Sequence, residues 1–137
     1  MGPYLFNKPD LIDTLADGKH TAVIPASDAG YGVQCVGLVK YYSRAGSTGT
    51  WKKGDAVIGA PLLARGTAIA TFDAHGRYPS HASGNHACFF LRYVANGIEV
   101  LEQNVAPNPG IIHKRIIMRR GGKGSWSNDA DAYSVIK

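Results

Sequence analysis

Among two cysteines and five histidines, Cys35 and His86 are the pair whose settings suit chemistry. A thiol is a useful nucleophile only as the thiolate, and a helix N-terminus supplies about half a positive charge from its unpaired N–H groups. In the run QCVGLVKYY, Val36, Val39 and Tyr42, with Leu38 beside them, fall at helical spacing, directly after the small and turn residues of 25–32. This spacing predicts a helix with Cys35 in its first turn, where the thiol is acidified and N–H groups can hold the oxyanion formed on a carbonyl under attack. A lone cysteine is more often a buried structural residue, so the case depends on its partners.

The second piece is GNHACFFLRYV, in which His86 follows a glycine-containing loop and opens an apolar strand. A strand end puts an imidazole at the rim of a core, a setting that also suits a merely satisfied histidine. Asn96-Gly97 signals a hairpin leading to IEVLEQN, where Glu102 and Asn104 share a face by the two-residue period. A carboxylate there is expected to accept a hydrogen bond from Nδ1 of His86, fixing the tautomer and stabilising the imidazolium. Glu99 and Gln103 lie on the other face, and since a bulge would swap faces, Gln103 remains an alternative orienting residue.

The elements around these residues read as one domain over 1–137. Hydrophobic residues are 45% and charged residues 18% of the chain, a balance that supports a packed core and excludes a disordered tract. Residues 9–16 read as a short amphipathic helix stopped by Gly18. After the Cys35 helix and a polar loop over 43–50, strands are predicted at 56–58, 67–72, 87–94, 98–101, 111–118 and 133–136. A helix followed by an antiparallel meander is an α+β plan. No run approaches the roughly 20 apolar residues that span a bilayer, and the first residues lack a signal-peptide pattern. Synthesis in the cytoplasm without a Sec signal is therefore expected, with no membrane partner. The formal charge of +5, concentrated at Lys114, Arg115, Arg119, Arg120 and Lys123, reads either as a solvated face or as a field favouring polyanions.

The order QC at a helix start, GNH opening a strand and ExN on the next strand resembles the CHAP domains (cysteine, histidine-dependent amidohydrolases/peptidases) and the related NlpC-type cell-wall peptidases. The match runs over 32–104. The pieces GTAIATFD, GRYP and SNDADAYSVI also look like small proteobacterial members, some of which are amidase toxins delivered by type VI secretion. The resemblance implies a papain-like fold with the nucleophile helix packed on an antiparallel sheet. By it Cys35 is the nucleophile, His86 the base and Glu102 the orienting group, with Asn104 assisting. The oxyanion is assigned to the Cys35 N–H and the Gln34 side chain. The substrate implied is an amide of the peptidoglycan stem or cross-link, cut by a monomer without metal or cofactor, in the periplasm after delivery by a dedicated system. A toxin of this kind implies an inhibitor protein as partner. His75, Arg77, Tyr78, His81 and Asn85, in the long loop before His86, are expected to line the cleft. That loop and GNHA in place of the common GHV depart from the pattern and bear on specificity. Circularly permuted lipid acyltransferases place the histidine before the cysteine, and here Cys35 comes first.

Three rival readings accompany this one. Asp73, His75, His81, His86 and Cys88 are close in sequence, yet lack a zinc-binding spacing such as CxxC or HExxH. Tyr31, Tyr41, Tyr42, Trp51, Tyr93 and Trp126 would serve a basic binding module as stacking surfaces, though no nucleic-acid motif accompanies them. Cys88 shares a strand face with His86, and a disulfide to Cys35 under oxidation is the third expectation.

Overall fold

The computed structural model describes residues 3–30, 32–60, 62–79 and 84–137. A 3-10 turn, Pro9–Leu11, runs directly into α1, Ile12–Leu15, which buries Ile12 and Leu15 and ends at Ala16. Proline suits this start because the first helical N–H has no intrahelical acceptor to lose. The second helix, α2, spans Val36–Ser43 with Cys35 immediately before it in helical geometry. Its face of Val36, Leu38, Val39 and Tyr42 is buried, as their spacing requires.

Among the described residues seven strands form one antiparallel sheet: β1 His20–Thr21, β2 Lys53–Ala56, β3 Thr67–Thr71, β4 Ala87–Val94, β5 Gly97–Val105, β6 Asn108–Met118 and β7 Tyr133–Ile136, in the order β1-β6-β5-β4-β3-β7-β2. The architecture is α+β. β3 to β6 form the expected meander, and β7 returns to pair with β3 and β2. The strand expected at 56–58 lies earlier, because its ladder with β7 runs from Lys53 to Ala56. Val57 instead drops its side chain into the core.

Alternation divides the sheet into two cores. Ala87, Phe89 and Leu101 face α2, whereas Cys88, Phe90, Ile98 and Val100 face the opposite way with Val57, Ile117 and Tyr133. The turn between β4 and β5 is centred one residue earlier than Asn96-Gly97 suggests. Only Asn96 takes a positive φ (60°), and Gly97 begins β5, where a Cβ would stand 2.4 Å from the carbonyl oxygen of Ile117. Glycine is needed there for close approach of β6 and not for the turn.

Gly37 plays the equivalent part for α2. A Cβ on it would meet the Val23 carbonyl oxygen at 2.8 Å and Nε2 of Gln103 at 2.9 Å, so the helix sits directly on the sheet. Gln103, fully buried, donates to the carbonyls of Val23 (2.9 Å) and Gln34 (2.7 Å) and accepts from the Val23 N–H (2.9 Å). Overpacking of this kind costs about 1–3 kcal/mol. Gly37→Ala is expected to lose stability by that amount in urea unfolding; an unchanged midpoint would show that the helix seat is not this close.

Candidate active site

Cys35 reaches its place through contacts of β5 with the two residues that precede it. Gln103 holds the Gln34 carbonyl, and Asn104, at a β5 bulge with φ 58°, donates Nδ2 to the Val33 carbonyl (3.1 Å) while its Oδ1 accepts from Gly110 N–H (2.8 Å). Neither side chain meets His86 in these bonds. Gln103 as an orienting residue is thus corrected: the β4–β5 bulge lies at Phe90–Arg92, beyond the histidine, so the faces near His86 are not swapped. Asn104, expected to assist His86, pins the loop before Cys35 instead. Gln34 keeps an exposed side chain next to Cys35.

His86 is buried, with 3% exposure, one residue before β4. Its backbone is clamped to β3, donating N–H to Thr71 Oγ1 (3.1 Å) and accepting from Thr71 N–H (3.0 Å). On the ring, Nε2 is 2.8 Å from Oε1 of Glu102, and the imidazole and the Cys35 thiol influence each other's ionisation. The expectation that Nδ1 meets the carboxylate is therefore corrected. Sγ lies close to the His86 backbone, 4.0 Å from the Asn85 carbonyl oxygen and bonded by the Ala87 N–H. Nε2 reaches across to Glu102 on β5, which leaves Nδ1 as the ring nitrogen open to the sulfur. Since an ionised carboxylate only accepts, Nε2 carries a proton.

Glu102 is fully buried and surrounded by donors. Besides His86, it accepts from His113 Nε2 (2.7 Å), Arg115 Nε (2.7 Å) and Arg115 Nη2 (3.1 Å). Burial pushes the carboxyl up, but the bonds and charges of His86 and Arg115 outweigh it and hold Glu102 at about 2. For His86, burial lowers the value, while the bonds to Cys35 and Glu102 and their negative charges raise it to about 9. Burial raises the Cys35 thiol, and the hydrogen bond and charge of His86, with the Ala87 N–H and the Tyr78 hydroxyl, bring it below its ordinary 9.0. The arrangement favours a thiolate beside an imidazolium.

The long loop divides. Tyr78 packs edge-on against buried Trp51 (ring centroids 5.2 Å apart) and places its hydroxyl 3.9 Å from Sγ. Burial and the neighbouring sulfur push its phenol up, so it stays a proton donor. His75 and Arg77 are exposed on a turn whose N–H groups bond Asp73 Oδ1 at 2.8 and 3.0 Å. His81 lies outside the described residues, as does Tyr31. Among the described residues no group of three or more His, Cys, Asp or Glu side chains forms a metal cage; Asp73 caps its own turn and Cys88 points into the second core.

Cys88 is fully buried on the sheet face away from α2, while Cys35 packs against the first core, and both thiols are free. The expected disulfide is corrected by this placement, since the shared face with His86 leads away from the sulfur. Two stacking candidates, Tyr42 and Trp51, are core residues. Of the basic cluster, Arg115 bonds Glu102, Arg119 pairs with Asp131 (2.8 Å) and Arg120 donates to the Asn128 carbonyl (3.0 Å). Sequence reasoning missed Thr71, His113 and Arg115 as parts of this site. For the last two a signal exists: Glu102 pairs with His113 across the β5–β6 hairpin, and Arg115 follows on the same face.

An α+β domain with a partly buried thiol near a buried imidazole–carboxylate pair is the class of structure this chain presents. The family model of domesticated amidase effector 2 matches residues 16–136, and the chain belongs to that family. It is 36% identical to a type VI secretion amidase effector 2 protein of Salmonella typhi, over 98% of this chain and 99% of the relative. A solved structure, type 6 secretion amidase effector 2 (Tae2), superposes with a TM-score of 0.78 at 34% identity, covering 99% of this chain and 95% of that one.

The charges set how stability responds to pH. Glu102 is held at about 2, below its ordinary 4.5, so its contribution is present above about 4.5 and is lost as pH falls toward 2. His86 is raised from 6.5 to about 9, so its contribution is full below 6.5 and is lost as pH rises through 9. Urea midpoints are expected to form a plateau between these flanks and to fall on both sides. A midpoint that rises steadily through the alkaline flank would contradict the His86 pairing.

Proposed function

We propose that this chain is a peptidoglycan amidase that works as a papain-like cysteine hydrolase, with Cys35 as nucleophile, His86 as general base and Glu102 as the group that orients the imidazole. The observation that carries the reading is a single buried ring with the Glu102 carboxylate 2.8 Å from Nε2 and the Cys35 thiol close enough to shift its ionisation. The amidase names of the relatives support the reaction type. Their type VI titles support delivery by a dedicated system to act in the periplasm. A cognate inhibitor protein in the producing cell follows from that role.

In this reading the resting site holds the Cys35 thiolate and the His86 imidazolium. The thiolate attacks the amide carbon, and the oxyanion is held by the Cys35 N–H at the start of α2, with the Gln34 side chain as second donor. His86 passes its Nδ1 proton to the leaving amine. The neutral ring then takes a proton from water, which attacks the thioester and releases the acid. Glu102 keeps the Nε2 proton in place throughout, so Nδ1 is always the nitrogen that exchanges. Tyr78 donates to the sulfur, and His75, Arg77 and Asn85 offer polar contacts to the peptide.

Purified sacculi incubated with the wild type are expected to release peptide fragments whose masses show one new amine and one new carboxyl. Cys35→Ala is expected to fold and to lose at least about 10³-fold in rate. Intact sacculi after wild-type treatment would redirect the assignment to another amide. The rate is expected to rise with pH as Cys35 ionises, below its ordinary 9.0, and to fall again as His86 loses its proton at about 9. A rate still climbing beyond that point would exclude the imidazolium as the proton donor.

A further inference from the structure

The cysteine hydrolase reading uses one of the four bonds that the Glu102 carboxylate accepts. The other three come from two residues of β6. His113 donates Nε2–H to Oε2, and Arg115 reaches around the side of the carboxylate, with Nε on Oε2 and Nη2 on Oε1. Together with His86 on Oε1, these donors occupy about all the lone-pair positions that a carboxylate offers. The remaining Arg115 donors turn outward, to Asn128 Oδ1 (2.8 Å) and the Ser127 carbonyl (3.0 Å) of the 3-10 turn Trp126–Asn128. That turn lies over Gly84, where a Cβ would be 3.5 Å from the Trp126 nitrogen, and Gly84 in turn accepts from Thr71 Oγ1, the clamp on His86.

We propose that Arg115 and His113 are positioning residues: by filling Oε2 and the flank of Oε1 they fix the Glu102 carboxylate, unprotonated, against Nε2 of His86 and so set how readily Cys35 ionises. The inference rests on the cysteine hydrolase reading for its consequence, and on the bond geometry for its content. His113 supports it independently. Its Nδ1 is buried with no hydrogen-bond partner among the described residues, a cost that a purely structural histidine gives no reason to bear. Among the described residues its ring bonds Glu102 alone. Without Arg115 the buried carboxylate would lose its nearest full positive charge, take up a proton more easily and hold Nε2 less firmly. The imidazolium would weaken and the thiolate with it. Other titratable groups facing this cluster are Cys88 on β4 and Tyr133 on β7, both pushed up by burial and thus neutral, and Tyr78 on the Cys35 side.

The test compares the full chain with Arg115→Met, Arg115→Lys and His113→Asn. Labelling by iodoacetamide is followed across pH, with modification of the Cys35 peptide read by mass so that Cys88 does not contribute, alongside kcat and KM on sacculus fragments. In the wild type Cys35 is expected to label well below its ordinary 9.0. Arg115→Met and His113→Asn are expected to move the labelling midpoint up by about one pH unit and to lower kcat about tenfold with KM unchanged. Arg115→Lys, which keeps the charge and loses the fork, should fall between. A wild type that labels as an ordinary thiol overturns the hydrolase reading itself. Variants that keep the wild-type midpoint and kcat, and differ only in melting temperature, overturn this inference alone. If Arg115→Met does not fold, the comparison of Arg115→Lys and His113→Asn decides by the same two measurements.

Discussion

The structure depends on a carboxylate placed where water does not reach. Glu102 has no exposed surface, and an isolated ion in such a place would take up a proton instead of remaining charged. Four donors prevent that, and they come from two separate stretches of chain: the residue before β4 and the neighbouring strand β6. Removing one partner of a buried ion pair typically costs about 3–5 kcal/mol. The carboxylate therefore holds the β4–β5–β6 part of the sheet in register as firmly as it holds the imidazole. Stability and site geometry are linked through the same atoms, and neither His113 nor Arg115 can be treated as a surface residue that happens to be polar.

The sulfur and the carboxylate are on different sides of the sheet, and the histidine joins them because it is ahead of the strand and not within it. A residue inside β4 would face one core or the other by alternation. At position 86 the backbone is at the sheet's end, where the ring reaches Glu102 of the second core and still acts on the Cys35 thiol beside the first. Thr71, Gln103 and Asn104 make this crossing reproducible. The first fixes the histidine backbone from β3, and the other two fasten Gln34 and Val33, just before the helix start, to β5. Gly37 permits the same helix to rest on the sheet without a side chain between them.

Much of this was legible in the residues. The helix at Cys35, the strand opened by His86, its partner carrying Glu102 and the α+β plan all followed from spacing, because each is a local property of a periodic run. The short helical start over 9–16 followed from Pro9 and Gly18 in the same way. What was not legible needed strand register or loop path. Which ring nitrogen meets the carboxylate depends on the direction from which the sulfur approaches, and no periodicity encodes that. Arg115 looked like part of a basic surface because charge is counted along the chain, whereas its partner is across a hairpin. Cys88 was placed near Cys35 by an alternation rule that is correct for the strand and stops applying one residue before it. The strand expected at 56–58 ended earlier because pairing with β7, the last strand in the chain, decides its bounds.

Relatives at 34–36% identity cover nearly the whole chain, so the fold is shared end to end and not merely around one motif. A site assembled in this way has a particular consequence for reactivity. The sulfur is held by the His86 ring, the Ala87 N–H and the Tyr78 hydroxyl, donors that all favour its charged form, while Trp51 backs Tyr78 from the core. The charges of the cluster are thus arranged by the fold itself, as preorganised donors that need no reorientation. The fixed part of this cluster is the sheet and its buried charges, while His75 and Arg77 stand exposed on the turn that precedes Tyr78.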